Sequence, residues 1–167
     1  MTNPSRPATS GPSISPCLWF DGDAEEAARF YVSLVPNSRI DRIQTNLVDS
    51  PSGPAGSTLL VIFTLAGQRF MAVNGGMRME YTHALSLLIE CDTQAEIDRL
   101  WDGLLEGGTP EQCGWLKDRW GVSWQITPRA LGDLLATPDT ARAARVMQAL
   151  FGMVKIDVED LRRAWEG

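Results

Sequence analysis

Three of the chain's six tryptophans, Trp115, Trp120 and Trp124, fall within residues 113–126, together with Ser123 and Gln125. Large aromatic side chains concentrated in this way wall a core, an interface or a bound molecule. Gln125 can both donate and accept hydrogen bonds, which suits orienting a polar group of a ligand and equally suits a structural bond between elements. Ser123 alternates with Gln125 along an extended segment and shares its face, with Trp124 pointing the other way. Asn74-Gly75-Gly76 could offer amides to an anion, but Asn and Gly together are ordinary turn chemistry. Asp118 also reads as a turn residue. His83 is the sole histidine. It stands three positions before Ser86, an odd offset that on a continuous strand turns it to the opposite face. A nucleophilic triad would need a partner brought to it by the fold. Cys17, Cys91 and Cys113 form no CxxC pair and supply no zinc template.

The elements that position these residues can be read in order. Residues 1–13 are rich in Pro, Ser, Thr and Gly and are expected to be a disordered tail. Ile14 to Phe20 reads as a strand, followed by Asp23-Ala-Glu-Glu26, a capping-box pattern opening a helix with the stripe Ala27, Phe30, Tyr31 and Leu34. Strands are expected over 39–48, 58–65 and 70–73. A second series then begins, with a strand over 84–91, a capping box at Thr93-Gln-Ala-Glu96, and a helix with the stripe Ile97, Leu100, Trp101 and Leu104. Shifting the first helix by seventy residues lays Glu26 on Glu96, Phe30 on Leu100 and Tyr31 on Trp101. In the hairpins Gly67 matches Gly121 and Met71 matches Gln125, an offset of fifty-four. The chain is therefore an internal duplication of a βαβββ unit. Module one covers 14–76 and module two 83–127, and a helical segment covers 128–167, all within one domain. That segment breaks near Pro138 and Gly152, and Asp139 caps a helix carrying Ala143, Val146, Met147 and Leu150. The closing helix is amphipathic through Leu161, Ala164 and Trp165, which suits docking on a second copy of the chain.

Composition narrows the classes. At 167 residues with 44% apolar content the chain suits a packed globular domain. A net charge of −6 and a pI near 4.7 argue against nucleic acid, which demands clustered Lys and Arg. No apolar run approaches the roughly 18 residues of a membrane span, and the N-terminus carries no signal-peptide pattern. A cytoplasmic location is expected.

The stretches LWFDGDAEEAARFY (18–31), VNGG (73–76), DTQAEIDRLWDGLLEGG (92–108), QCGWLKDRWGVSWQI (112–126) and RVMQALFGMVKIDVEDLRRA (145–164) resemble the PhnB-like branch of the vicinal oxygen chelate superfamily. Its members often carry the label 3-demethylubiquinone-9 3-methyltransferase. The resemblance implies an α+β fold of paired βαβββ modules, a mixed sheet curled into an open cup, C-terminal helices and a homodimer. Catalytic branches hold a divalent metal in the cup through His and Glu side chains. The equivalent positions here fall at Ser15 or Pro16, Met71, Ser86 and Gln125, a poor donor set for such an ion. No cofactor is expected. The cup-facing candidates are Met71, Asn74, Ser86, Trp115, Ser123 and Gln125, and drug-sequestering relatives suggest a metal-free binder of an apolar or aromatic small molecule. The alternative is an enzyme, either lyase- or dioxygenase-like or the methyltransferase of the family label. Against the last, the chain lacks a Gly-rich turn that follows a strand and opens a helix.

Overall fold

A computed structural model describes residues 12–167; the expected tail at 1–13 lies almost wholly outside the described residues. The chain forms two compact units, the first ending at Met77 and the second running from Arg78 to Gly167. The first contains β1 (Cys17–Phe20), α1 (Ala24–Leu34), β2 (Arg39–Thr45), β3 (Thr58–Leu65) and β4 (Gln68–Asn74). The second repeats the series with β5 (Leu87–Cys91), α2 (Gln94–Leu105), β6 (Thr109–Pro110), β7 (Trp115–Lys117) and β8 (Ser123–Pro128). It closes with α3 (Ala130–Leu135), α4 (Thr140–Phe151) and α5 (Val158–Glu166). The sheets have equivalent orders, β1-β4-β3-β2 and β5-β8-β7-β6, each with one parallel pair at the first strand. The expected α+β duplication is thus the observed fold, built as two four-stranded mixed sheets.

Each sheet buries one face under its helix. In the first unit Ala24, Ala27, Ala28 and Tyr31 of α1 are buried along with Val61, Phe63, Phe70 and Ala72 from the strands. Phe30 and Leu34, expected in that stripe, are only half buried. In the second unit the expected stripe of α2, Ile97, Leu100, Trp101 and Leu104, is fully buried, as are Leu116, Trp124 and Ile126. Alternation along β8 leaves Ser123, Gln125 and Thr127 on the face away from those residues.

Register sharpens the repeat. Phe20 pairs with Asn74, and Cys91 pairs with Pro128. The opening strands are therefore offset by 91 − 20 = 71 residues, one more than the helices. The extra residue sits in module one between strand and helix, where Gly22 adopts φ +105°. Of the two sequence alternatives, Ser15 rather than Pro16 is the counterpart of Ser86.

That insertion changes how α1 begins. The capping box expected at Asp23 and Glu26 does not form, since Asp23 makes no side-chain capping bond. Asn74 performs the role across the sheet. Its Oδ1 accepts from Gly22 N at 3.1 Å and Ala24 N at 2.9 Å, and its Nδ2 donates to Thr58 O at 2.9 Å. Module two caps α2 locally, with Thr93 accepting from Glu96 N and Glu96 Oε2 reaching back to Thr93 N. Pro128, the counterpart of Asn74, has no side-chain polar group for the task.

The β7–β8 connection folds around one buried carboxylate. Asp118 is 3% exposed. Its Oδ1 accepts from Trp120 N at 2.9 Å and Val122 N at 3.0 Å, and its Oδ2 accepts from Trp124 Nε1 at 2.8 Å. Gly121 at φ +87° completes the turn, matching Gly67 at φ +85° in module one.

The C-terminal helices build their own core from Val146, Ile156 and Leu161, with Met153 and Trp165 packed against it. The apolar face of α5, expected to meet a second copy of the chain, is occupied by α4 of the same chain. Asp139 caps α4 as expected, accepting from Arg142 N.

Two substitutions test this framework. Asn74→Ala should lower stability by about 1–3 kcal/mol in urea unfolding, because three bonds, one of them buried and two partly so, lose their partner. Asp118→Ala should cost roughly 2–3 kcal/mol and shift the Trp124 emission, since Oδ2 is the acceptor for that indole N–H. A stability change within about 0.5 kcal/mol of wild type in either variant would contradict the assigned roles.

Candidate functional site

The face of the second sheet opposite its helix gathers most of the expected site. Trp115 pairs with Gln125 across β7 and β8, Lys117 pairs with Ser123, and Leu88 of β5 pairs with Gln125. Paired residues share a face, so Trp115, Ser123, Gln125 and Leu88 project together. Gln125 Nε2 donates to Ser86 Oγ at 2.8 Å. The amide and hydroxyl thus lie side by side within module two. Ser123 is 1% exposed, and its Oγ has no hydrogen-bond partner among the described residues. A buried hydroxyl left in that state costs about 1–3 kcal/mol unless water or a ligand satisfies it.

Trp115 also walls a cleft of about 650 Å³ lined by His83, Pro110, Glu111, Gln112, Trp115 and Val154. Its construction rests on the turn before β7. Cys113 and Gly114 both occupy the left-handed region, at φ 62° and 81°. Their amides donate to Met153 O and Val154 O, each at 2.8 Å, while Gly114 O accepts from Ile126 N. A Cβ on Gly114 would stand 2.7 Å from Ile126 O and 2.8 Å from Ile156 Cδ1, so the position admits only glycine without movement. This clamp sets Glu111 before the turn and Trp115 after it, and brings Val154 from beyond β8.

His83 belongs to the cleft, contrary to the strand-parity reading. Strand β5 begins only at Leu87, and residues 82–85 form a turn with Ala84 N donating to Thr82 Oγ1. Alternation cannot be extended through a turn, so the offset from Ser86 carries no facing information. His83 Nε2 lies 2.7 and 2.8 Å from the two oxygens of Glu111, and its ring centroid is 6.0 Å from that of Trp115. Glu111 was not singled out from the sequence. The available signal was its place immediately before the Gln112-Cys113-Gly114 turn.

The remaining candidates stand elsewhere. Met71 lies in the first unit on the face shared with Cys17 and Ile62, its register partners. Asn74, three positions on, points to the helix side, is 3% exposed, and has its amide occupied by the α1 cap. Gly75 and Gly76 also have packing reasons to be glycine. A Cβ on Gly75 would strike the Trp19 ring at 1.7 Å, and one on Gly76 would strike Pro51 O at 1.7 Å.

The donor set does not fit a divalent ion. Met71 is a thioether, and Ser86 and Gln125 are bonded to one another. Among the described residues no group of three His, Cys, Asp or Glu side chains is gathered to hold a metal. Nor are two of the cysteines primed as nucleophiles. Burial pushes the Cys91 thiol up to about 11, with Glu96 adding to the effect, and desolvation also raises Cys17. Both remain protonated at neutral pH.

A family model described as 3-demethylubiquinone-9 3-methyltransferase matches residues 12–127. Among solved structures, a PhnB protein from Bacillus cereus is 36% identical with a TM-score of 0.63, covering 70% of this chain and 99% of that one. A Pseudomonas aeruginosa protein is 24% identical with a TM-score of 0.54, covering 71% and 98%. The fosfomycin resistance protein FosX from Listeria monocytogenes shares the fold at 15% identity and a TM-score of 0.54, covering 78% and 100%. None of the curated proteins matches in sequence. The family match ends at residue 127. Helices α3–α5, and with them Val154 of the cleft, are therefore outside the region that the family model matches, although the stretch 145–164 was part of the resemblance read from the sequence. The match over 12–127, together with the Bacillus cereus relative, assigns the chain to the 3-demethylubiquinone-9 3-methyltransferase family of PhnB-like proteins.

Proposed function

We propose that this PhnB-like, glyoxalase-fold protein is a metal-free binder of a small apolar or aromatic molecule, and that the second module holds the molecule against Trp115. The cleft carries the reading. Its volume of about 650 Å³ falls within the roughly 300–1,000 Å³ of typical small-molecule sites. Its walls combine an indole, a proline and a valine with the polar groups of His83, Glu111 and Gln112. That mixture of apolar surface and a few convergent polar groups suits a planar compound bearing one or two hydrogen-bonding substituents. On the same face as Trp115, the half-buried Gln125–Ser86 pair adds a polar contact for a larger ligand.

Homodimerisation is part of the proposal. Leu85 and Leu88 are 69% and 55% exposed, and β5 is an edge strand of its sheet. Covering such an edge by a second copy would remove both liabilities. The methyltransferase label receives no support from the Asn74-Gly75-Gly76 turn, because no helix follows it and each glycine is explained by packing. The fosfomycin resistance proteins inform the fold alone.

Binding of planar aromatic compounds should quench tryptophan emission, and Trp115→Ala should weaken that binding about tenfold or more. Equal affinity in the variant would move the site elsewhere. Treatment with a chelator should leave both the melting temperature and this binding unchanged, whereas stoichiometric metal by elemental analysis would overturn the metal-free reading. Light scattering should give twice the 18.4 kDa chain mass; a monomer would remove the dimer.

A further inference from the structure

His83 and Glu111 are the ionisable side chains that line the Trp115 cleft. Their arrangement is more than a surface ion pair. The imidazole presents one nitrogen, Nε2, to both oxygens of a single carboxylate, at 2.7 and 2.8 Å. Nε2 is then the protonated nitrogen, because a carboxylate accepts. In the neutral imidazole the other nitrogen, Nδ1, carries the lone pair, and it makes no hydrogen bond to the described residues. The carboxylate is the more sheltered partner, its side chain 25% exposed against 53% for the imidazole. Glu111 is also held by its backbone, with its amide donating to Trp115 O at 2.8 Å. A sheltered, fixed carboxylate that sets the tautomer of a more accessible imidazole is the arrangement a general base requires. The indole 6.0 Å away supplies a wall on which a planar compound can lie within reach of that imidazole.

We propose that His83 is a general base acting on a planar aromatic compound bound against Trp115, with Glu111 as its positioning residue. This inference rests on the cleft being the binding site. Nδ1 takes a proton from an acidic C–H or O–H of the bound compound. The electron pair of the broken bond stays with the compound and is drawn into an adjoining acceptor, a carbonyl or an electron-poor ring. The resulting imidazolium is stabilised by Glu111 through Nε2–H, and its proton passes to the product or to water. No metal, oxidant or cofactor enters the balance. Proton-abstraction chemistry of the isomerase or eliminating-lyase class follows, and it would arise in a family labelled for methyl transfer.

The probe is 5-nitrobenzisoxazole, a planar aromatic carbon acid. Removal of its ring C–H proton forms a nitrile, breaks the N–O bond and releases a coloured phenolate, so one base suffices. Wild type should accelerate the elimination well beyond the same concentration of free imidazole. His83→Gln should lose about tenfold to a hundredfold of that rate while still binding the probe, as read by tryptophan quenching. Because His83 is half exposed, the fold should survive the change, and circular dichroism checks this. Glu111→Gln should lower the rate with KM little changed, and Glu111→Asp should recover part of it. Added imidazole should rescue His83→Ala, which a purely structural role for His83 would not permit. A wild-type rate that His83→Gln leaves unchanged, with quenching intact, overturns the base and leaves the binding reading standing. Absence of quenching in wild type overturns both for this class of compound.

Discussion

Two backbone bonds tie the second unit of this protein together: Cys113 N to Met153 O and Gly114 N to Val154 O. They hold two successive residues in left-handed backbone conformations, one of them a non-glycine, which the chain tolerates only where surrounding structure over-determines it. The turn they fix shapes one wall of the cleft. It sets Glu111 before it and Trp115 after it, and it brings Val154 into the wall. It is also the point at which the helical segment beyond residue 127 is joined to the sheet of the second unit. Gln94 strengthens the same junction from α2, donating to Ile156 O and accepting from Val158 N. The added helices therefore buttress the site rather than hang from the end of the chain.

The duplication gives two related modules whose polar side chains carry different structural tasks. Both units share strand order, a helix on one face, and hairpins that turn at Gly67 and Gly121. They diverge in how polar groups are spent. Module one uses Asn74 to start a helix displaced by one residue, so its last strand ends in a structural amide. Module two starts its helix locally and ends the matching strand in Pro128. It places a buried carboxylate, Asp118, at the hairpin and sets Ser123 and Gln125 on the face opposite α2, with Ser86 bonded to Gln125.

Much of this was legible in the sequence, for identifiable reasons. The α2 stripe and the Thr93 capping box were read correctly because cap and periodicity are local signals that nothing overrode. The Asp23 capping box was misread because a single inserted residue, Gly22, detached the local pattern and a side chain fifty residues away replaced it. Strand alternation placed Ser123, Gln125 and Trp124 correctly because β8 is continuous. The same rule failed for His83, where a turn interrupts the count. The His83–Glu111 pair was out of reach of pattern reading: its members lie twenty-eight residues apart, one in the turn at 82–85 and the other just before the positive-φ turn at Cys113. The closing helix illustrates the remaining limit, since amphipathicity declares that an apolar face will be covered but not by what.

The central claim is that a small molecule sits in the second module, against Trp115, without a metal. Crystals of protein taken directly from cells, with anomalous data collected across the transition-metal edges, test it most directly. The account predicts ordered density for a planar compound stacked on Trp115 between His83 and Gln112, with no anomalous peak beside Ser86, Gln125 or Met71. An anomalous peak at those side chains, with the Trp115 cleft holding only water, would contradict it.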